Sequence, residues 1–287
     1  MIRSTMPGLL MPIAATALIA LATPAAAQTA EPGTAAAAAG GSATEPAICT
    51  DRPTKANSPC TVEPGDFQIE TDLFNGSFQR QDGLTTDIYL ATNPTLKYGL
   101  TGALDVEASL APYEIVRTHD KFGNGDTLGG VGDLFLRLKY NAYNAKDDAV
   151  QVSVIPYVKA PTARSGIGNG EVEGGVNLPV AFKVTDKLSL TAGPELDAYA
   201  DAVGGGHHLN MSQLINASYT LPHSITLYGE LWGDWNYDPT GEIDQYSADV
   251  AVAWGVTDTL QLDGGLNIGL NHETPGVQAY VGVSKRF

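Results

Sequence analysis

The chain has 287 residues, 43% of them hydrophobic and only 17% charged, with a formal net charge of -16. An acidic chain lacks the clustered Lys and Arg that nucleic-acid phosphates require, so nucleic acid is excluded as a partner. Beyond residue 27 no stretch stays apolar for the roughly 20 residues of a membrane helix, and 32 glycines and 12 tyrosines favour β-structure instead.

Residues 1–27 read as an export signal, with Arg3 before an apolar centre over 9–22 and Ala25-Ala26-Ala27 as the cleavage site. Residues 28–66 are expected to be a flexible periplasmic N-terminal segment, low in complexity over 28–47 with the Ala run at 35–39 and Gly40-Gly41; the sequence leaves open whether 28–66 plugs the lumen or hangs in the periplasm. This segment carries Cys49 and Cys60, the two cysteines of the chain. In an oxidising periplasm they pair as a disulfide; the alternative is two free thiols.

From Phe67 onward the pattern becomes periodic. Leu260, Leu262, Leu266, Ile268 and Leu270 hold one parity, and Gln261, Asp263, Asn267 and Asn271 hold the other. Alternate side chains of a strand point to opposite faces, so this segment has one apolar and one polar face, which a helix would mix. Tyr246, Ala248, Val250, Val252 and Trp254 repeat the pattern against Gln245, Ser247 and Asp249. About twelve such strands follow, over 67–80, 85–99, 103–117, 129–142, 149–161, 171–184, 188–201, 208–221, 224–237, 243–256, 259–271 and 276–287. Short connections at 100–102, 185–187, 222–223 and 257–258 alternate with longer ones at 118–128, 162–170, 202–207 and 238–242. Such alternation is expected when strands run up and down through a membrane, with the short turns periplasmic.

Alternation alone does not say which face meets which medium, since a soluble sandwich alternates too. Strand length near the 9–11 residues of a tilted membrane strand tilts the choice. So do the aromatics toward strand ends: Tyr98, Tyr140, Tyr219, Trp235, Tyr237 and Trp254. The expected fold is an all-β, transmembrane, antiparallel up-and-down β-barrel over 67–287 in the bacterial outer membrane, with outer-membrane lipids as its surroundings. The chain ends inside a strand at Phe287, which reads as the assembly signal met by the barrel-assembly machinery.

Several short motifs carry a resemblance. Thr50-Asp51-Arg52-Pro53 precedes Pro64-Gly65-Asp66-Phe67-Gln68-Ile69-Glu70 at the first strand. Tyr98-Gly99-Leu100-Thr101 leads to Leu104-Asp105-Val106, and Gly129-Gly130-Val131-Gly132-Asp133 opens the fourth strand. Over roughly 48–287 the chain resembles an outer-membrane transporter family labelled "MetA-pathway of phenol degradation". The resemblance implies passive transport of small molecules, hydrophobic or aromatic ones among them.

With apolar residues toward lipid, the other parity lines a lumen. Glu195, Asp197, Glu230, Asp234, Asp249 and Asp263 form an acidic wall, and Lys97, Arg137, Lys139, Lys159 and Lys183 a basic wall. Glu70, Asp72, Asp105 and Glu107 share the lumen parity. Two outcomes stand open: a charged pore that favours cations or zwitterions, or an interior filled by its own ion pairs. The chain is read as a channel and not an enzyme, with no cofactor and no metal. The rivals are a structural or adhesive barrel without an open pore and a membrane-embedded lipid hydrolase. For the hydrolase, none of His119, His207, His208, His223 and His272 occurs as His-x-Ser, and His208 and Ser212 are four residues apart. His207-His208 beside Gly204-Gly205-Gly206 could hold a metal with another loop donor, but reads better as a solvated loop.

Overall fold

A computed structural model describes residues 47–81 and 83–287. The expected export signal at 1–27 and the low-complexity run at 28–46 lie outside the described residues. The unit that holds the described residues, 45–287, is almost entirely β-structure.

Its segments are β1 (Phe67–Gln81), β2 (Leu84–Leu90), β3 (Thr95–Thr101), β4 (Leu104–Leu110), β5 (Glu114–Asp120), β6 (Gly125–Gly130), β7 (Leu134–Asn144) and β8 (Val150–Ala160). They continue with β9 (Glu173–Asn177), β10 (Val180–Lys183), β11 (Leu188–Ala200), β12 (His207–Leu221), β13 (Ile225–Asn236), β14 (Ile243–Thr257), β15 (Leu260–Gly269) and β16 (Val277–Arg286). All neighbours are antiparallel, and β16 returns to pair with β1, which closes a barrel. Four staves of the wall are broken in two, as β2 with β3, β4 with β5, β6 with β7, and β9 with β10, so the barrel has 12 strands. Closure removes the unpaired edges that an open sheet would present.

The breaks have local causes. Pro94, Pro112 and Pro179 sit in three of them, and proline has no N–H to give to the ladder. The fourth contains Gly132, whose N–H bonds Ala111 O at 2.8 Å across the neighbouring break. The breaks at 91–94, 111–113 and 131–133 are side by side and line a cavity of about 260 Å³. Above them the wall rises further than the sequence pattern indicates. The expected loop 118–128 is largely strand, with β5 and β6 paired from Glu114↔Gly130 to His119↔Gly125.

The barrel is inside out relative to a soluble protein. Among the described residues the buried hydrophobic side chains are Val62, Ile155, Leu214, Ala253 and Tyr280, while the buried polar set runs from Gln68 and Glu70 to Ser284 and Arg286. Leu231, Ile215, Val250, Leu266 and Val281 are 62%, 60%, 52%, 43% and 51% exposed. A soluble sandwich hides such rows, so the apolar face here is the one that meets lipid. Tyr98, Tyr140, Tyr219 and Trp254 ring the end with the short turns, and Tyr237 stands at the other. Such aromatic belts sit at membrane interfaces.

Leu266 faces outward in mid-strand between Val250 and Ala279, whereas Ser218 faces the lumen beside a cavity. Leu266→Arg is expected to cost about 2–4 kcal/mol of stability in a bilayer, and Ser218→Arg well under half of that. Denaturant unfolding in lipid vesicles checks this; equal losses would mean that the two faces are wrongly assigned.

Candidate functional site: a charged segment laid through the lumen

Residues 47–66, whose place the sequence leaves open, are laid against the lumen side of the barrel wall. The lumen offers rows of polar groups, and this segment supplies their partners. It enters at the short-turn end, where Ile48 N–H donates to Asp258 O at 2.7 Å. It leaves at the same end, where Pro64 bridges to Gly99 and Gly65 N–H donates to Gly99 O at 2.9 Å. Between these feet, Cys49 and Cys60 are joined by a disulfide with their Cα atoms 6.1 Å apart, which closes the segment into a loop. Gly99 carries no side chain because a Cβ there would strike the carbonyl oxygens of Val62 and Glu63.

The loop is held by charge on both sides. Arg52 donates to Asp72 at 2.6 Å and to Asp263 at 2.7 Å, and its guanidinium lies 5.8 Å from the centre of the Tyr280 ring. Lys55 pairs with Asp249, donates to Ser247 Oγ at 2.9 Å, and sits 5.0 Å from the Trp232 ring centre. The backbone N–H groups of Lys55 and Ala56 donate to the two oxygens of Glu230 at 3.2 and 3.1 Å. Opposite in sign, Asp51 accepts from Lys139 at 2.6 Å and from Lys97. Neutral bonds complete the seat: Asn141 and Ser153 donate to Pro59 O, and Val62 N–H donates to Asp105 at 3.0 Å.

The residues expected to form two opposed walls pair mostly with near neighbours. Lys97 and Lys139 are almost fully buried and share Glu107, at 3.6 and 3.3 Å, while Lys97 also reaches Glu70 at 2.6 Å. Lys159 pairs with Glu173 at 2.8 Å and Asp133 at 3.5 Å. The basic arc thus carries its own acids and is not a bare positive wall. Arg137 lies 5.9 Å from the Phe135 ring centre. Lys183 stands apart, half-exposed at the end of β10, paired with the exposed Asp186 at 3.1 Å.

The acidic arc divides in two. Glu230, Asp249 and Asp263 receive the cations and N–H groups of the loop. Glu195, Asp197 and Asp234 lie nearer the opposite mouth and are held by neutral donors. Asn177 donates to Glu195 at 2.7 Å, Tyr157 to Asp197 at 2.7 Å, and Asn210 to Asp234 at 2.9 Å. Asp51, Arg52 and Lys55 were missed as lumen residues by sequence reasoning. Their signal was the Thr50-Asp51-Arg52-Pro53 motif, which strand periodicity does not reach.

The hydrolase reading finds no support in this geometry. His208 Nδ1 faces Asp201 at 3.0 Å, and among the described residues its Nε2 has no partner and no serine hydroxyl engages the ring. At the same mouth, Asp238 is held below the usual carboxylate range by the Thr240 hydroxyl and by the N–H groups of Ala202 and Thr240. Phe287 is exposed on the outer face and packs against Phe67, ring centres 6.4 Å apart, at the seam of β1 and β16.

Solved structures with this architecture are outer-membrane proteins. The chain is similar to the COG4313 outer membrane channel from Pseudomonas putida F1, with 17% identity over 80% of this chain and 98% of that one, at a TM-score of 0.61. It is also similar to the KdgM porin solved with disordered oligogalacturonate, with 11% identity over 77% and 99% of the two chains, at a TM-score of 0.49. No curated protein matches the chain. The fold is that of an outer-membrane β-barrel, and its lipid-facing rows place it in that membrane. The family model described as "Putative MetA-pathway of phenol degradation" matches residues 50–287, from the lumen motif to the last residue, and the chain belongs to that family.

Proposed function

We propose that the barrel is a passive channel for small solutes and that residues 47–64 are its gate. The carrying observation is the match between the charges of the loop and those of the lumen: Arg52 and Lys55 against acids, Asp51 against lysines. Both feet of the loop lie at one end of the barrel, so the loop can withdraw there without breaking a strand. With the loop seated, the passage is narrow; a cavity of about 230 Å³ remains beside it, lined by Thr50, Asn57, Ser189, Thr191, Asn216 and Tyr228 among others.

Removing Arg52 leaves Asp72 and Asp263 buried without a counter-charge, a loss of about 3–5 kcal/mol in the seated state. The double variant Arg52→Ala, Lys55→Ala is therefore expected to raise single-channel conductance in a planar bilayer. Its reversal potential is expected to favour cations, because Asp72, Asp249 and Asp263 lose their cationic partners. Silence in both the wild type and this variant would favour the structural-barrel alternative, and anion preference would defeat the lumen assignment.

The solute class we propose is small hydrophobic or aromatic molecules. The family description supports it, and so does the cavity at the three aligned breaks, lined by Leu90, Leu110, Phe135 and Ile167 beside Glu114 and Asp133. Ala111→Trp fills this cavity and is expected to slow uptake of a naphthalene-sized fluorescent probe into proteoliposomes. Uptake at the wild-type rate in a correctly folded variant removes this route.

Phe287 is proposed as the handle for the barrel-assembly machinery, since β16 ends at the closing seam with an outward row of Val277, Val281, Val283 and Phe287. Deleting Phe287 is expected to lower the amount of heat-modifiable barrel in outer-membrane fractions. An unchanged amount argues that the residue serves only packing on Phe67.

A further inference from the structure

At the mouth opposite the loop's feet stands a cluster that the gate does not use. Strand alternation at the start of β12 sends His207 outward, where its Nε2 meets Val172 O at 2.8 Å, and His208 inward. The His208 side chain is only 6% exposed. Its Nδ1 lies 3.0 Å from Asp201 Oδ1 and 3.6 Å from Asp238 Oδ2, and the three ligand atoms lie within 4.8 Å of one another.

The two carboxylates come from different connections. Asp201 follows β11, and its N–H donates to Gly206 O at 3.0 Å across the loop. Asp238 follows β13 and is oriented by Thr240 and by the Ala202 N–H at 2.7 Å. Among the described residues neither carboxylate has a Lys or Arg partner. A proton on His208 offsets only one of the two negative charges. The hydrogen bond to Asp201 places the proton of the metal-free ring on Nδ1, and Nε2 is buried without a partner among the described residues, so the proton can pass to Nε2 or to solvent and leave the Nδ1 lone pair to a metal ion. The cluster opens onto a cavity of about 490 Å³ that Asn236 and Thr240 also line.

We propose that Asp201, His208 and Asp238 bind a divalent transition-metal ion, Zn2+ or Mn2+, that ties loop 201–206 to loop 237–242. Three protein ligands facing a cavity leave further coordination positions to water. The imidazole selects against Ca2+ and Mg2+, which prefer shells of oxygen alone. The ion supplies the charge that the cluster lacks, and it joins two connections that the wall strands β12 and β13 hold at one height.

Calorimetric titration of tag-free, chelator-stripped barrel in detergent tests the site with Zn2+ and Mn2+ in separate runs, and with Ca2+. The expected result is uptake of one Zn2+ or Mn2+ per chain and no response to Ca2+. His208→Ala and Asp238→Asn are each expected to weaken uptake at least about tenfold, and His207→Ala to leave it unchanged. Absence of uptake of both transition metals, uptake that survives both variants, or equal loss in His207→Ala overturns the proposal. Gel mobility with and without heating reports whether each variant has folded. Asp238→Asn keeps an oxygen for the two Thr240 donors and loses only the acceptor of the Ala202 N–H, so it gives a second reading where His208→Ala does not fold. The readout is independent of conductance, so the gate and the metal site fail or succeed separately.

Discussion

A charge inside a narrow protein lumen needs an opposite charge or several hydrogen bonds at close range, because removal from water costs several kcal/mol per ion. That requirement organises this barrel. The strands alone place more carboxylates than cations on the inner face. Lys97, Lys139 and Lys159 are met by acids of the wall, and the first two also by Asp51 of the loop. The acids left over on β1, β13, β14 and β15 are met by the segment that precedes the first strand. The wall and the loop are therefore one electrostatic unit, although only the wall belongs to the regular fold.

The apolar side of the same strands answers to a different solvent. Hydrocarbon accepts Leu, Val and Ile without a partner and rejects charge, so the outer rows need only be apolar and of the right height. This division explains why the barrel was legible in the sequence. Leu260 to Leu270 on one parity and Gln261 to Asn271 on the other could be sorted without knowing any contact. Twelve staves, their order and the inward direction of Glu230, Asp249 and Asp263 follow from that sorting.

What the periodicity could not supply was everything without a period. Residues 47–66 form no strand before the first stave, so their docking depends on three charges and a few backbone groups rather than on a pattern. The prolines that break three staves are visible, yet a break of two to four residues leaves the parity of the flanks readable, so each pair reads as one strand in the sequence. The turn after β12 is another case: His223 and Ser224 both adopt positive φ, at 66° and 57°, so the hairpin turns one residue later than Pro222-His223 indicates. His208 was read as solvated beside a glycine run. Its two carboxylate neighbours lie seven and thirty residues away in sequence and meet only through the register of the strands.

Arg52 has a position that joins two problems of the molecule. It bonds Asp72 on the first stave and Asp263 on the eleventh, and it lies over Gly282 of the twelfth, where any Cβ would strike the guanidinium. The first and twelfth staves are the ones that meet to close the cylinder. One side chain thus spans the junction like a stitch drawn from within, and the residue that anchors the loop also ties the two ends of the sheet together. Seating the loop and holding the seam of the cylinder draw on the same guanidinium.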